Sequence, residues 1–435
     1  MVMIESAIVK IWGITAGAVL WNETTQLASF EYTPDFVLKG YDLSPLKMPL
    51  QAGTIYNFPE LNAKNEALDS TFNGLPGLLA DILPDRYGNR LLNSWLAQQG
   101  RPENSMNPIE KLCFIGSRGM GAIEFEPATN KTQNAFDLEM DGLINVAADM
   151  LNKREKFTTN IKQNELKAMQ DILTIGTSAG GARAKAIIAY NEKTGVVKSG
   201  QTNAPDGFEH YLIKLDGVDD AQFGTTKGYG RVEMAYYLMA VDCGIEMMPS
   251  LLLEENDRAH FMTKRFDREN GSTKHHIQTL CAMQHYNFNE VGAYSYEQLF
   301  QTMRLLRLPY PQAEQMFKRM VFNVIARNCD DHTKNFAFRL KQGKKWELSP
   351  AYDICHAYRP DSIWVSKHAL SVNGKRDNIT KQDLLIVAKS MNIKKAVLLI
   401  QEINATIQNW KFYAKKVNVN ERLTAKIDQS ILNLI

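Results

Sequence analysis

The residues best suited to chemistry lie between positions 330 and 353. Asp330 and Asn335 are separated by four residues, and Asp353 follows a predicted hairpin. Protein kinases use this D-x4-N spacing for phosphoryl transfer: the Asp accepts the proton of the substrate hydroxyl, and the Asn binds magnesium. A second carboxylate completes such a site, because Mg2+ binds a few protein oxygens together with the substrate's phosphates. The pattern predicts Asp330 as catalytic base and Asn335 and Asp353 as magnesium ligands.

The segments around this motif have the periodicity needed to hold it. Apolar residues recur at helical spacing over 316–325 and lead into the loop. Residues 336–340 alternate as in a strand, residues 342–345 have the composition of a turn, and residues 346–348 start a second strand. A solvated helix-to-strand turn has the same local composition, so the D-x4-N spacing by itself leaves both interpretations open.

A second candidate is the glycine-rich stretch at 176–185, Gly-Thr-Ser-Ala-Gly-Gly-Ala-Arg-Ala-Lys. Small residues expose backbone N–H groups that can bind phosphates in an anion-binding nest. Lys185 and Lys214, each on a predicted strand, could add point charges to those phosphates. The stretch is not a Walker A loop, since G-x4-G-K-[ST] does not match. An ordinary glycine-rich turn is the simpler alternative.

The same stretch also contains G-x-S-x-G around Ser178, the pattern of the nucleophile elbow in α/β hydrolases. Asp330 with His332 or His356 could complete a triad in the matching chain order. An elbow is followed by a helix, however, whereas residues 186–190 predict a strand. The hydrolase therefore stays a less favoured hypothesis.

A zinc site is a further, weaker alternative. Cys329 and His332 have C-x2-H spacing, and Cys355 and His356 follow. Structural zinc uses a closed tetrahedral set of paired ligands, and adjacent residues such as Cys355 and His356 cannot easily reach one ion.

Composition indicates an ordinary globular protein. The chain has 435 residues, enough for two or three domains, with 44% hydrophobic and 23% charged residues and a net charge of +2. No global basic field suggests nucleic acid. Five cysteines without a CxxC motif argue for a reducing compartment, and no apolar run reaches the roughly 18 residues of a membrane span. We expect a cytoplasmic protein with no membrane partner.

The order of the elements predicts an α+β fold with two lobes like those of a protein kinase. Residues 1–130 predict a β-rich N-terminal subdomain, and residues 131–268 a part like a kinase N-lobe that carries the phosphate loop. Residues 269–435 predict a mainly helical C-terminal lobe with the catalytic loop. In more detail, we expect strands over 7–21 and 27–32 around a turn at Asn22–Glu23. Helices are expected over 138–153, 160–172 and 230–243.

Several motifs in this order resemble the HipA family of bacterial toxin kinases, and the resemblance spans most of the chain. In the N-terminal part the similar segments are residues 72–85 and 118–127. In the kinase part they are residues 178–185, 213–215, 265–268, 330–335 and 350–353. Arg183 and Ala184 depart from the pattern, since many relatives have other residues there, often Pro at the second position. This leaves the rigidity of the loop in doubt, but not its identity.

The resemblance implies a serine/threonine protein kinase that uses ATP and Mg2+. It implies nucleotide contacts from Gly180, Gly181, Ala182, Arg183, Ala184 and Lys185 of the phosphate loop, from Lys214, from the hinge residues Lys264, Arg265 and Phe266, and from His332 and Tyr352. Ser178 falls where family members phosphorylate themselves. A phosphate there would add about two negative charges beside those of ATP and should expel the loop.

The resemblance also implies partners. These are a protein substrate, which in the family's prototype is an aminoacyl-tRNA synthetase for glutamate, and a HipB-like helix-turn-helix antitoxin that binds operator DNA. We expect this chain to contact DNA only indirectly, through the antitoxin. The alternative function is an inactive kinase-like co-repressor that acts with the antitoxin; an intact set of Asp330, Asn335, Asp353 and Lys214 argues against it.

Overall fold

The protein is described by a computed structural model. The described residues are 4–62, 71–130, 136–138, 140, 143–144, 147, 176, 183–201, 203–218 and 227–435. Within these ranges the strands form two five-stranded sheets, one three-stranded sheet and one two-stranded sheet. Most of the described helices follow the second large sheet in the chain.

The first sheet is antiparallel and has the order β4-β3-β2-β1-β5. Its strands are β1 (Ser6–Ile11), β2 (Ile14–Asn22), β3 (Leu27–Tyr32), β4 (Ile55–Tyr56) and β5 (Ile123–Glu126). The helices of this part are α1 (Pro34–Lys39), α2 (Gly77–Ala80), α3 (Arg86–Gln98) and α4 (Pro108–Ile115). Alternate residues of β1 are buried, as expected for a sheet with one face on a core.

The turn at Asn22–Glu23 is confirmed, because the Asn22 side chain accepts from the N–H groups of Thr24 and Thr25 at 3.0 Å. The single predicted strand region over 7–21 is wrong in one respect. The chain reverses at Trp12 and Gly13, whose φ angles of 51° and 75° are both left-handed. A two-residue hairpin turn with both φ angles positive matches the twist of its strands, and glycine adopts it at little cost.

The second sheet, here called the central sheet, has the order β7-β6-β8-β10-β9. Its strands are β6 (Lys185–Tyr190), β7 (Val197–Ser199), β8 (Glu209–Lys214), β9 (Ser250–Glu255) and β10 (Arg258–Lys264). Helix α5 (Tyr229–Asp242) packs against β9 and β10. Ala186, Ile188, Tyr211 and Ile213 share a core with residues of α3 and α4. Lys185 and Lys214 alternate with these residues and therefore belong to the opposite face.

Among the described residues, the largest core lies in the C-terminal part and also includes residues of α5. Its strands are β11 (Arg268–Glu269), β12 (Thr273–Lys274), β13 (His276–Thr279), β14 (Ala337–Leu340) and β15 (Trp346–Leu348). Its helices are α6 (Leu280–Gln284), α7 (Tyr296–Leu305), α8 (Tyr310–Ile325), α9 (Lys381–Ser390), α10 (Ala396–Gln408), α11 (Trp410–Lys416) and α12 (Glu421–Asp428). The predicted hairpin is confirmed, with Phe338 opposite Leu348.

The predicted fold class is confirmed: the fold is mixed, rich in strands towards the N-terminus and mainly helical towards the C-terminus. The helix expected over 230–243 corresponds to α5. The helices expected over 138–153 and 160–172 lie almost wholly outside the described residues. In the described ranges, every helix is too short or too polar to cross a membrane.

Candidate active site

The loop that carries Asp330 and Asn335 follows α8, which is anchored by a buried apolar face. Residues Thr333–Asn335 form a 3-10 turn, and the Asn335 N–H donates to the His332 carbonyl at 2.9 Å. The Asn335 side-chain Nδ2 donates to the Asp330 carbonyl at 2.6 Å. This bond fixes the two motif residues relative to one another. It uses the amide donor and leaves the side-chain oxygen as the group that could bind a cation.

Asp331 differs sharply from its neighbour Asp330. Its Oδ2 lies 2.8 Å from both the Tyr296 hydroxyl and His368 Nδ1, and its Oδ1 accepts from the Ala369 N–H at 2.7 Å. Asp331 is buried, whereas the Asp330 side chain is 50% exposed. Because a general base must reach the substrate's proton, the geometry favours Asp330 over Asp331 as the base.

Lys214, Glu233 and Asp353 meet in one ion-paired cluster, here called the cleft cluster. Lys214 Nζ lies 2.5 Å from Glu233 Oε1 and also pairs with Asp353 Oδ1. Gly230 brings the first turn of α5 against β10, since a Cβ there would lie 1.9 Å from the Ala259 carbonyl oxygen. Glu233 follows three residues later on the same helix face and reaches Lys214. One sheet strand, one helix and the loop after β15 thus each contribute one charged residue to the cluster.

The charges of the cleft cluster follow from burial and pairing. Burial would lower the pKa of Lys214, but Asp353 and Glu233 hold that pKa above its usual value. Burial would raise the pKa of Asp353, but Lys214 and Lys185 hold it well below its usual range. Burial raises the pKa of Glu233 even though Lys214 opposes the shift. At neutral pH the cluster therefore contains a charged lysine and an ionised Asp353.

Lys185 places a second lysine on the same face. It lies opposite Lys214 in the register of β6 and β8, and residues directly opposite on antiparallel strands point to the same side. Lys185 is buried, and burial together with Lys214 lowers its pKa, although the Asp353 carboxylate opposes the shift. Two lysines held side by side among carboxylates provide point charges suited to phosphate groups.

Asn335 and Asp353 fit a magnesium ion. Both line one small cavity, together with Asp331, Phe336 and Tyr352. Asp353 is ionised, and its side chain remains 36% exposed. Carboxylate and amide oxygens are ligands that Mg2+ accepts when phosphates and water supply the rest. The two residues could therefore hold Mg2+ jointly with a bound phosphate.

Two predicted hinge residues have side chains with partners of their own. Lys264 Nζ pairs with Glu209 at 3.0 Å. The Arg265 guanidinium is buried and donates to both carboxylate oxygens of Asp267, at 2.8 and 2.6 Å. Lys264 is the last residue of β10, and Arg265 follows it directly, so the segment is placed as a hinge requires. Contact with a base would have to come from its backbone rather than from these two cations.

Phe266 and Tyr352 supply the aromatic surface near this hinge. Their ring centroids lie 5.6 Å apart with the planes inclined by 31°. The Tyr352 hydroxyl donates to the Lys334 carbonyl at 2.6 Å, which ties the segment before Asp353 to the catalytic loop. The pair thus spans the end of the central sheet and the catalytic part, where a planar base could stack.

His332 and Lys334 connect the catalytic loop to its surroundings. His332 Nε2 lies 3.9 Å from Asp330 Oδ1, and its ring centroid is 5.3 Å from that of Phe288. Lys334 Nζ donates to Asp85 at 2.5 Å and lies 4.7 Å from the centre of the Phe288 ring. Asp85 directly precedes α3, so the N-terminal part of the chain contacts the catalytic loop.

The predicted phosphate loop is described only in part. Ser178 and residues 180–182 lie outside the described residues. Arg183 is described and lies above the Tyr229 ring, 4.9 Å from its centre. Ala184 is buried and leads directly into β6. This strand disfavours the nucleophile elbow, which requires a helix at that place.

Two family models match this chain. The family model described as HipA-like C-terminal domain matches residues 177–411, more than half of the chain. The model described as HipA N-terminal domain matches residues 7–126. The chain belongs to the HipA family.

A solved HipA structure has the same fold over 98% of this chain. The toxin–antitoxin complex of HipA, HipB and operator DNA from Shewanella oneidensis MR-1 contains a similar chain, with a TM-score of 0.68 and 18% identity. The match covers 98% of this chain and 94% of that chain. The proinflammatory kinase CtkA of Helicobacter pylori is similar at a TM-score of 0.33 and 12% identity, covering 51% of this chain and 88% of that one.

Glu233 is the residue of this HipA-family site that sequence reasoning missed. Protein kinases pair a strand lysine with a glutamate on the next helix, and Lys214 with Glu233 has that arrangement. The prediction for residues 230–243 is a helix and includes no functional residue. A search of that helix for a carboxylate partner of Lys214 would have found Glu233.

The residues considered for zinc do not converge in the described part of the HipA-family chain. Cys329 Sγ faces His368 Nε2 at 3.8 Å, and His356 Nε2 faces Ser430 Oγ at 2.9 Å. Among the described residues, no group of three or more His, Cys, Asp or Glu is arranged to hold a metal ion. A magnesium site shared with phosphates needs no such group.

Proposed function

We propose that the protein is an ATP- and Mg2+-dependent serine/threonine protein kinase that acts as the toxin of a toxin–antitoxin pair. The observation that carries this proposal is the cleft cluster, in which Lys214 is paired with both Glu233 and Asp353. Protein kinases require the strand lysine paired with the helix glutamate and the magnesium-binding aspartate in place together. A catalytic loop with Asp330 and Asn335 completes the set.

In the proposed reaction the oxygen of a substrate Ser or Thr attacks the terminal phosphorus of ATP. The bond from that phosphorus to the bridging oxygen breaks, ADP leaves with the electron pair, and the hydroxyl proton passes to Asp330. The half-exposed Asp330 side chain can meet a protein substrate, and the Asn335 bond to its carbonyl orients the loop. A positioned base of this kind typically contributes about 10²–10⁴-fold to the rate.

Lys185 and Lys214 would bind and orient the phosphates from the sheet side. Asn335 and Asp353 would hold Mg2+ from the opposite side. Bound Mg2+ would neutralise charge on the phosphates and help orient the transferred group. The ion pair between Lys214 and Asp353 keeps both groups charged and in position before nucleotide binds.

The partners are proposed on the family relationship. The similar Shewanella oneidensis chain forms a complex with HipB and operator DNA, which supports a HipB-like antitoxin for this protein. We also propose that this chain contacts DNA only indirectly, through that antitoxin. A protein substrate, with an aminoacyl-tRNA synthetase as candidate, and self-phosphorylation at Ser178 are proposed from the resemblance.

The test is the intact mass of the full-length protein after incubation with Mg-ATP, followed by peptide mapping. We expect wild-type protein to gain one phosphate on Ser178, and Asp330→Asn to gain none while keeping its circular dichroism spectrum and Tm. Equal phosphate gain in both proteins would reject Asp330 as base. Nucleotide binding without phosphate gain in either would favour the inactive co-repressor.

A further inference from the structure

Arg319 on α8 is a buried cation next to the proposed magnesium ligands. It is 3% exposed and lines the same small cavity as Asn335 and Asp353. Its Nη2 donates to the Ser349 carbonyl at 2.8 Å, whereas its Nε has no hydrogen-bond partner among the residues that the structure describes. Burying a guanidinium with incomplete hydrogen bonding is costly, so packing alone does not account for an arginine at this position.

The short segment between β15 and the aspartate of the cleft cluster is held by hydrogen bonds from three elements. The Ser349 N–H donates to the Ala337 carbonyl of β14 at 3.0 Å. The Ala351 N–H donates at 2.8 Å to the carbonyl of Glu246, which lies in the loop after α5. Arg319 adds the third connection, from α8 to the Ser349 carbonyl. A strand, a loop and a helix therefore fix the path of the chain just before the aspartate.

Asp353 depends on this support because its backbone is left-handed. Its φ angle is 55°, a conformation that is uncommon for residues other than glycine, although Asp adopts it more often than most. Such a conformation costs free energy and persists where the surrounding structure determines it. The hydrogen bonds on the preceding segment, including the one from Arg319, provide that constraint. In this conformation Asp353 forms its ion pair with Lys214.

Arg319 acts on Asp353 through the backbone more than through its charge. Burial lowers the pKa of Arg319 to about 10, although the Glu246 carboxylate opposes the shift, so Arg319 is a cation at neutral pH. Burial would raise the pKa of Asp353, and Lys214 and Lys185 are the cations that hold it low. The specific contribution of Arg319 is therefore its hydrogen bond to the segment that carries Asp353.

We propose that Arg319 is a positioning residue for the magnesium site, a role that rests on the proposed kinase function. Its bond to the Ser349 carbonyl holds Asp353 in the conformation that presents the carboxylate to the cavity shared with Asn335. The ligand is a divalent cation that these two residues share with nucleotide phosphates. Groups that orient a metal ligand without touching the metal typically contribute about 10–100-fold to metal affinity. Loss of Arg319 should therefore weaken cation binding and leave the phosphate contacts of the sheet lysines in place.

Electron paramagnetic resonance of Mn2+ tests this role, because Mn2+ accepts the same oxygen ligands as Mg2+ and its spectrum reports binding without catalysis. The full-length protein is titrated with Mn2+ in the presence of the non-hydrolysable β,γ-imido analogue of ATP. Arg319→Met keeps an unbranched side chain and removes the donor to Ser349. We expect its Kd for Mn2+ to rise about tenfold, while its Kd for the analogue without a divalent cation stays that of wild type.

Arg118→Met is the matched control. Arg118 is also buried, at 2% exposed, and donates to a backbone carbonyl, that of Phe114, in the N-terminal part. This control should lower the Tm and leave the Kd for Mn2+ unchanged. Arg319→Lys keeps a charged donor without the planar fork of a guanidinium, and we expect a rise in the Kd for Mn2+ of about threefold. This variant keeps the test informative if Arg319→Met does not fold.

A wild-type Kd for Mn2+ in every Arg319 variant that folds, whatever the change in Tm, would overturn the proposal and assign Arg319 to stability alone. An equal rise in Kd in Arg118→Met would overturn it as well, because any buried arginine would then have the same effect. If wild-type protein with the analogue binds no Mn2+, the proposed kinase function fails too. If wild type binds Mn2+ and the Arg319 variants bind it equally well, only the positioning role fails.

Discussion

Two acidic clusters lie next to each other around the candidate active site and differ in how completely they are satisfied. In the first, here called the closed cluster, both oxygens of Asp331 are bound by Tyr296, His368 and Ala369, and the groups are buried. In the cleft cluster, Asp353 pairs with Lys214 and is still 36% exposed. Asp331 belongs to the catalytic loop itself, whereas Asp353 follows β15 and pairs with Lys214.

The difference indicates different roles. A buried carboxylate with both oxygens hydrogen-bonded stabilises one arrangement of the loop, because moving it would break those bonds. A partly exposed carboxylate with a cation beside it can exchange that cation for another ligand at low cost. We therefore expect variants of the closed cluster to change stability and variants of the cleft cluster to change activity.

The largest effect should come from Asp331→Asn. The change leaves the buried His368 charge without its carboxylate, and removing one partner of a buried ion pair costs about 3–5 kcal/mol of unfolding free energy. Urea denaturation of the purified protein measures this loss. The adjacent Asp330→Asn is the matched control and should stay within about 0.5 kcal/mol of wild type, because its side chain is half exposed. Equal losses in both variants would contradict the distinction.

Glu233→Gln tests the cleft cluster. Gln fills the same space without charge, so Lys214 keeps only the Asp353 carboxylate and loses its orientation. We expect phosphate incorporation to fall about 10²-fold with little change in Tm, because Lys214 keeps the Asp353 carboxylate as its partner. Glu254→Gln is the control, since Glu254 pairs with Arg231 at an exposed position. Unchanged activity in Glu233→Gln would show that Glu233 does not take part in the reaction.

The closed cluster also predicts a pH dependence of stability. Burial would lower the pKa of His368, but Asp331 raises it from 6.5 to about 10. Because the pKa of His368 is raised in the folded state, its protonation stabilises the fold fully below pH 6.5. This contribution to stability falls as the pH rises towards about 10. We expect the Tm of wild type to decline across this range more steeply than that of Asp331→Asn with His368→Gln. An equal decline of Tm with pH in both proteins would show that the Asp331–His368 pair does not contribute to the pH dependence of stability.

The smallest effect is expected at the contact between the N-terminal part and the catalytic loop. Asp85→Asn removes the charge that pairs with Lys334. The side chain of Asp85 is 19% exposed and that of Lys334 is 15% exposed. We expect a loss of about 1 kcal/mol in stability and a severalfold fall in kcat at unchanged KM for ATP. A change in KM alone would place Asp85 in nucleotide binding rather than in positioning the loop.

Much of the fold and the centre of the site were predictable from the sequence. Strand alternation over 336–340 and helical spacing over 316–325 located the elements around Asp330, since each element has a buried face. Lys214 and Asp353, 139 residues apart, were predicted for one site and form an ion pair. The D-x4-N spacing also singled out Asp330 over Asp331, and the burial of Asp331 agrees.

The partners of individual side chains were harder to predict. Arg265 was expected against the nucleotide, but its guanidinium binds Asp267, which in turn accepts from the Gly121 N–H. That arrangement depends on the N-terminal part packing against residue 267, and local sequence carries no signal of it. Glu233 was missed for a related reason: the helix pattern shows which face is buried, but not which buried carboxylate meets a lysine on another element.

A parallel measurement on Asp353→Asn and Asp331→Asn tests the central distinction most directly. Each full-length variant would be assayed for Tm and for phosphate gained from Mg-ATP per folded molecule. We expect Asp353→Asn to keep its Tm, because Lys214 retains Glu233, and to lose phosphate incorporation. Asp331→Asn should lose Tm by many degrees. If Asp353→Asn incorporates phosphate like wild type, or unfolds as readily as Asp331→Asn, the cleft cluster is a structural ion pair and the kinase proposal loses its main support.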